Sequence, residues 1–316
     1  MSDFTDFTHL HLHTEYSLLD GANRIKELAK TLKSQGVKAA AITDHGNMFG
    51  AIDFYKTMKG EGIKPLIGIE AYIHNGEELG DKSTKQRFHL CLIAKNEIGY
   101  KNMCWLNSRA FCDEGALYYG KPRIDFEMLK EYHEGIICLS ACVAGELPQA
   151  VLNGNMDDAE EVARRYKELF GPDHYYIEIQ NHGLPEEKIA AEGMIKIARK
   201  LDIPLVVTND IHYIDKEDSE AQLTLNCIAR KTLLDDPESS AKSMGGQNRL
   251  SEWYFKSEEE MRLLFPDIPE AYENTVKIAD MCNLTIHQYS TTELKDCLPR
   301  FELPENFRKH DDYAKN

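Results

Sequence analysis

Residues 7–21 read FTHLHLHTEYSLLDG, with histidines at every second position: His9, His11 and His13. In an extended strand, residues two apart project from the same face. Three imidazoles on one side make this stretch either a polar rim or the beginning of a metal site, because imidazole is the commonest protein metal ligand and also carries protons. The stretch alone leaves both readings open. Further ligands have to come from the rest of the chain.

Outward from this stretch, one cycle repeats. Short apolar runs alternate with helical patterns. The strand-like runs are THLHLH (8–13), AAAITDH (39–45), PLIGIEAYI (65–73), FHLCLIAKN (88–96), GIICLSAC (135–142), YYIEIQ (175–180) and PLVVTND (204–210). Amphipathic stretches such as ANRIKELAKTLKSQG (22–36), MDDAEEVARRYKELFG (156–171) and EEKIAAEGMIKIARKLD (186–202) end in Gly or Asp, as helix stops do. Strand–helix alternation implies an α/β fold with a parallel sheet. Seven cycles suit a closed or nearly closed barrel, although an open doubly wound sheet also accommodates them.

A barrel carries its chemistry at the C-terminal ends of its strands. Ligand-type residues should therefore end the runs, and they do. His11 and His13 close the first, Asp44 and His45 the second, and Glu70 follows LIGI in the third. Cys142 ends the fifth run, Asp210 and His212 end the seventh, and Asp20 lies in the loop after the first. His89 stands at the start of its run, so its place is less secure. The set His11, His13, Asp20, His45, Glu70, His89, Cys142, Asp210 and His212 suits Zn, Mn or Fe better than Ca or Mg. One tetrahedral ion takes about four ligands, so nine imply two or three divalent ions with Glu70 as a bridge. Such a cluster fits phosphate-ester hydrolysis, in which one ion acidifies a water and others neutralise phosphoryl oxygens. His11, His13, Glu70 and Asp210 are assigned to the ion nearest the reacting water, His45, His89 and Cys142 to a second, with Asp20 and His212 completing the cluster. A lone His, Asp or Cys at a strand end is ordinarily a cap, a rim residue or core, but that reading must account for all nine together. His74, His133, His174, His182, His287 and His310 follow no pattern and are read as surface. The chain has no GxSxG elbow, no GxGxxG and no P-loop.

The 316 residues carry a net charge of −16, without the basic stripe of a protein that grips DNA by its phosphates. Eight cysteines occur with no CxxC pair, and at least six are expected to be buried, reduced thiols. No apolar run reaches the length of a membrane span, so a soluble, cytoplasmic protein is expected. After Tyr213 the pattern turns helical: EDSEAQLTLNCIARKTLL (217–234), KSEEEMRLLFP (256–266) and DIPEAYENTVKIADMCN (267–283). Residues 285–316 are polar and punctuated by prolines, as in a linker or tail that leads into something longer.

The motifs HLHLHTEYSLLDG, AITDHGNMFGAIDFYK, GIKPLIGIEAY, HLCLIAKNEIGYKNM, LSACVAGEL and VVTNDIHY resemble those of the PHP (polymerase and histidinol phosphatase) superfamily. More narrowly, they are similar to the PHP domain that opens the C-family bacterial replicative DNA polymerases, and the likeness continues through KSEEEMRLLFPDIPEAYENTVKIADMCN to LPRFELP. The resemblance implies a distorted seven-stranded (β/α)7 TIM-like barrel over residues 1–214, a helical extension over 215–284 and a linker over 285–316 toward a polymerase palm that this chain does not contain. It places all nine residues, His89 included, on the family's ligand positions, with up to three ions. Some members use the site as a 3′–5′ proofreading exonuclease acting on single-stranded or frayed DNA. In others the ligands are lost, and the domain is a platform for a separate proofreading exonuclease subunit. None of the nine is lost here, which favours a loaded site. The expected partners are DNA, the remainder of the polymerase chain and replisome subunits, with no membrane. A metal-stabilised scaffold and a small-molecule phosphatase of the histidinol-phosphate type are the competing readings.

Overall fold

The long strand β2 (Lys64–His74) organises the sheet. One edge pairs in parallel with β1 (Ala39–Ile42) along Lys64–Ile67, then with the isolated bridge residue His45 at Glu70, then with β5 (Lys121–Asp125) along Tyr72–His74. The other edge pairs antiparallel with β3 (Phe88–Ala94). From β3 the sheet continues to β6 (Ile136–Leu139, antiparallel), β7 (Tyr175–Ile179) and β8 (Leu205–Val207), the last two joined in parallel. Strand β4 (Leu117–Tyr118) forms a short hairpin with β5. The computed structural model describes residues 7–75, 79–80, 87–234 and 250–287, so the expected linker lies outside the described residues from 288 onward.

The first run, THLHLH, forms no ladder. It makes single parallel bridges, His9 to Ala40 and Leu12 to Ile211, so pairing passes from the segment after β8 back to the segment before β1. The expectation that His9, His11 and His13 share a face fails here. The amide of Ala41 bonds the carbonyl of His9 and that of Thr43 bonds Leu12. The histidine segment thus advances three residues while its neighbour advances two. An extra residue of this kind breaks strict alternation, as at a β-bulge. His9 turns instead to the carbonyl of Lys256, at 2.9 Å, and to the ring of Phe255.

The all-parallel expectation is also corrected, because β3 runs against both neighbours. A parallel return needs a crossover, usually a helix, whereas antiparallel strands can be joined directly. The connecting sequence NGEELGDKSTKQR (75–87) has no apolar helical period. The β4–β5 hairpin was not anticipated.

Alternation within the strands separates two apolar layers. Leu90, Leu92, Cys138, Ile177, Leu205 and Val207 pack outward against the helices, while Cys91, Ile93, Ile137, Leu139, Tyr176 and Val206 pack together inside. The outer helices present apolar stripes. In α1 (Ile25–Ser34), Ile25, Leu28, Ala29 and Leu32 are buried at helical spacing. Others in this layer are α2 (Ala51–Gly60), α3 (Glu97–Cys112), α4 (Phe126–Tyr132), α5 (Glu146–Leu152), α6 (Met156–Phe170) and α7 (Pro185–Leu201). The extension consists of α8 (Ser219–Arg230), α9 (Glu258–Arg262), opened by a Ser257–Glu260 capping box, and α10 (Pro269–Met281). Ile278 and Ala279 of α10 join the inner layer, and Lys64 at the start of β2 donates to the carbonyl of Ala279 at 2.6 Å. Helix α10 therefore covers the end of the sheet at which β2 begins. Residues Met1–Leu284 form one compact unit and Thr285–Asn316 a second.

All seven described cysteines are free thiols; five are buried, Cys104 is half-buried and Cys112 exposed, and Cys297 lies outside the described residues. Two of the histidines read as surface are buried. His74 is enclosed at the end of β2, and His182 is stacked on Trp253 at 4.1 Å and hydrogen-bonded to Glu187 and the carbonyl of Asn209. No helix among the described residues is long and apolar enough to cross a membrane.

Candidate metal centre

The nine residues picked out from the sequence converge at one end of the sheet. Glu70 stands at the middle. Its Oε1 lies 2.8 Å from Nδ1 of His89 and 3.3 Å from Nε2 of His11. Its Oε2 lies 2.5 Å from Nδ1 of His45 and 3.7 Å from Nε2 of His13. Asp210 Oδ1 approaches His11 at 3.2 Å, His13 at 3.0 Å and His212 at 3.6 Å. Asp20 Oδ2 lies 2.8 Å from His45 and 3.8 Å from His212. Cys142 Sγ is 3.6 Å from Glu70 and 3.4 Å from His89. The reversal of β3 accounts for His89: the start of an antiparallel strand lies where its neighbours end, and His89 pairs with Tyr72 near the end of β2.

The backbone is strained where it delivers these donors. Leu19 (φ 61°), Ala141 (φ 65°) and Asp210 (φ 45°) are left-handed non-glycine residues, and the first two immediately precede Asp20 and Cys142. Gly21 closes the Asp20 loop so tightly that a Cβ there would stand 2.1 Å from the carbonyl oxygen of Thr14. Gln222 of α8 holds the same loop through the carbonyl of Asp20.

Three imidazoles are oriented by what holds Nδ1. In His212 it faces the carbonyl of Asp210 at 2.8 Å, so Nδ1 carries the hydrogen. In His11 it faces the carboxylate of Glu178 at 2.7 Å. In His13 it lies 3.0 Å from Ser17 Oγ, which itself donates to Asp44 at 2.7 Å and so accepts from the ring. Each Nε2 faces inward; burial opposes charging of His11 and His212, but Asp210 and the other acidic neighbours raise both above the ordinary imidazole value, so each must give up a proton to bind an ion. Burial, then the charges of His45 and His212, push His13 down to about 3 and keep it neutral. A neutral nitrogen at 3.0 Å from the Asp210 carboxylate sets lone pair against lone pair, an arrangement that a cation between them would relieve. His13 Nε2, Glu70 Oε2, Asp210 Oδ1 and His212 Nε2 are all buried without a hydrogen-bond partner. Buried polar atoms are rarely left unpaired, so the donor set fits metal ions.

The remaining electrostatics agree. Burial works against the charge on Glu70, but His89, His45 and His11 hold its carboxyl well below the usual range. Burial opposes charging of His45, yet Glu70 and Asp20 raise it to about 10. Burial, with Glu70 and Asp210 nearby, keeps the Cys142 thiol well above its ordinary value, and a coordinated ion would deprotonate it. Four overlapping groups have donor atoms within 4.8 Å of one another: His11–His13–Glu70, His45–Glu70–His89, His13–His45–His212 and His11–Cys91–Glu178. The first contains three of the four residues assigned to the reacting water and leaves out Asp210. In the second, His45 and His89 meet at Glu70, and His212 groups with His13 and His45.

Two kinds of residue escaped the sequence reading. Glu178 orients His11 and is itself held by Gln180 at 3.0 Å and by the hydroxyl of Thr208. The signal was a lone carboxylate inside the apolar strand YYIEI, in register with the inward-facing Tyr176. Asp44 was noted at its strand end but not assigned. It accepts from the amide and hydroxyl of Thr14 and from Ser17, and so supports His13 at one remove.

An α/β sheet with buried histidines and carboxylates gathered at one end describes a class of metal-centred domain. The PHP domain family model matches residues 9–182, and the chain belongs to that family. It is similar to DNA polymerase III subunit alpha of Campylobacter jejuni, 48% identical over 99% of this chain and 25% of the relative. The same subunit of Helicobacter pylori strain 26695 is 46% identical over 100% of this chain and 26% of its own length. The chain thus spans about a quarter of the relatives it matches. Among solved structures, an amidohydrolase from Chromobacterium violaceum aligns at 14% identity over 65% of this chain and 87% of its own, with a TM-score of 0.40.

Proposed function

We propose that this chain is the N-terminal PHP domain of a bacterial replicative DNA polymerase III alpha subunit, working in the cytoplasm, and that it hydrolyses phosphodiester bonds at the 3′ end of single-stranded or frayed DNA. His11, His13, Asp20, His45, Glu70, His89, Cys142, Asp210 and His212 hold two to three divalent transition ions, zinc, manganese or iron. When bound, these ions supply an acidified water and neutralise charge on the phosphoryl oxygens. The side chains do the rest. Glu70 would hold ions from the middle of the cluster, His11, His13 and Asp210 would hold the ion nearest the reacting water, and Glu178 and the Ser17–Asp44 pair fix two imidazoles. The observation that carries the reading is the set of inward-facing buried atoms on His13, Glu70, Asp210 and His212 that crowd one another without forming a hydrogen bond. Similarity to the polymerase subunits along nearly the whole chain supports the replicative setting, with the rest of the polymerase and replisome subunits as partners.

The test is elemental analysis of the purified chain, followed by incubation of the same sample with a labelled single-stranded oligonucleotide, with and without chelator. Two or three transition ions and chelator-sensitive shortening from the 3′ end are expected. Ions without shortening would replace hydrolysis with a metal-stabilised scaffold that binds a proofreading subunit, since bound metal adds to folding free energy. Absence of ions would overturn the site assignment.

A further inference from the structure

The turn between β4 and β5 carries an exposed aromatic residue. Tyr118 pairs with Lys121, so the turn is Tyr119–Gly120, with φ of 46° and 74°. A two-residue hairpin with both φ values positive favours Asn-Gly or Asp-Gly. A tyrosine in the left-handed region costs about 1–2 kcal/mol relative to a permissive residue. The Tyr119 ring meets that of Tyr118 edge-on at 4.6 Å, and the side chain is still 76% exposed.

Lys121 borders the metal centre. Its Nζ donates to the Tyr72 hydroxyl at 2.9 Å and lies 5.0 Å from the centroid of that ring. The Tyr72 ring stacks toward His45 at 6.2 Å and meets His89 edge-on at 5.3 Å. Solvent reaches the centre on this side: the His45 and His89 side chains are 13% and 18% exposed, those of His11, His13 and Glu70 not at all. A second cation, Arg87, exerts its charge on both Tyr72 and Lys121. Lys121 also feels the carboxylates of Asp20 and Glu70, which places its charge at the edge of the centre.

We propose that the β4–β5 hairpin guides single-stranded nucleic acid to the centre, with Tyr119 stacking on a base and Lys121 holding a backbone phosphate. An aromatic platform beside a cation is the usual means of holding a single strand without reading its sequence. A small phosphate monoester would use the lysine but has no base for the tyrosine. The proposal takes its substrate class from the hydrolytic reading above.

The experiment compares the full chain with Tyr119→Ala and Lys121→Met, loaded with manganese. The probe is a fluorescent single strand of about twelve nucleotides, phosphorothioate-linked at its 3′ end to slow cleavage, and binding is followed by anisotropy across a salt series. Tyr119→Ala is expected to weaken binding about tenfold, one stacked base, with the salt slope unchanged. Lys121→Met is expected to weaken binding and flatten the salt slope by about 0.7, one single-strand phosphate contact. Parental affinity in both variants overturns the proposal, as does failure of the parent to bind the strand. Binding that follows this pattern without any cutting of an all-phosphodiester strand would refute the hydrolytic reading while leaving the hairpin's role standing.

Discussion

Acid should unfold this chain partly through His9, and His9→Gln should remove that part. The imidazole is buried, edge-on to Phe7 at 4.8 Å, with Nε2 donating to the carbonyl of Lys256 and Nδ1 without a hydrogen-bond partner. A proton on Nδ1 would leave a charge in an apolar box beside a buried lysine. Burial first, and then the Lys256 charge, lower the pKa from 6.5 to about 3, against the opposing pull of the Lys256 carbonyl. In the unfolded chain the same group titrates near 6.5. Between these values the unfolded state holds the extra proton, so stability falls as pH falls. The contribution is complete above pH 6.5 and is lost progressively toward pH 3. At about 1.4 kcal/mol per pH unit, the loss from pH 6.5 to 4.5 is about 2.7 kcal/mol, a large part of a stability of about 5–15 kcal/mol. Urea unfolding of metal-stripped parent and His9→Gln at pH 8, 6.5, 5.5 and 4.5 measures it. Glutamine retains an N–H for the Lys256 carbonyl, and the carboxylates common to both chains cancel in the difference. The variant should gain on the parent by about 2.7 kcal/mol between pH 8 and 4.5. Parallel stability–pH curves would refute the reasoning.

Metal loading should raise the thermal midpoint, each ion at a hundredfold its Kd adding about 2.7 kcal/mol; calorimetry with and without chelator reads this, and coincident traces would contradict the assigned centre. Asp210→Asn or His11→Ala should lower metal content and thermal stability together, whereas unchanged stoichiometry in both would remove them from the ligand set. Binding of ions at pH 8 should release protons, because His45, held near 10 in the metal-free chain, must give up its proton. Affinity should accordingly rise with pH, and an indicator dye in weak buffer detects the released acid. Glu178→Gln should weaken metal affinity about 10- to 100-fold through loss of the His11 orientation, measured by competition with a chromogenic chelator, and parental affinity would exclude that role.

The candidate centre was legible because its chemistry is written at strand ends, where an apolar run stops and a donor follows. AAAITDH and PLVVTNDIH announce His45, Asp210 and His212 without any knowledge of the tertiary structure. The same rule misjudged His89, because strand direction is not a local property. HLCLIA reads alike in either direction, and only its pairing with β2 shows which end faces the centre. His9 misled for a related reason. Alternation held within the stretch, but the register against β1 slips by one residue between His9 and Leu12, and that slip depends on a partner some thirty residues away.

Glu178 is the more instructive omission. A carboxylate flanked by Ile177 and Ile179 resembles the polar face of a half-exposed strand. In a parallel sheet covered by helices both faces are buried, so no polar face exists there and the charge requires a partner. Full burial with His11 at 2.7 Å supplies it. The sequence argument had already placed the chain in that fold class, and one further step would have found the residue: in a strand buried on both faces, an ionisable side chain belongs to a site. Arg123 is buried in the β5 strand KPRID as well, and its guanidinium stacks on Tyr118 at 4.4 Å and donates to the carbonyls of Leu79 and Gly115. Its partners are structural, so the inference selects a buried charge with a reason, and the reason is found only by asking which groups meet it. For Glu178 those groups are an imidazole of the candidate centre and the two side chains that hold the carboxylate in place.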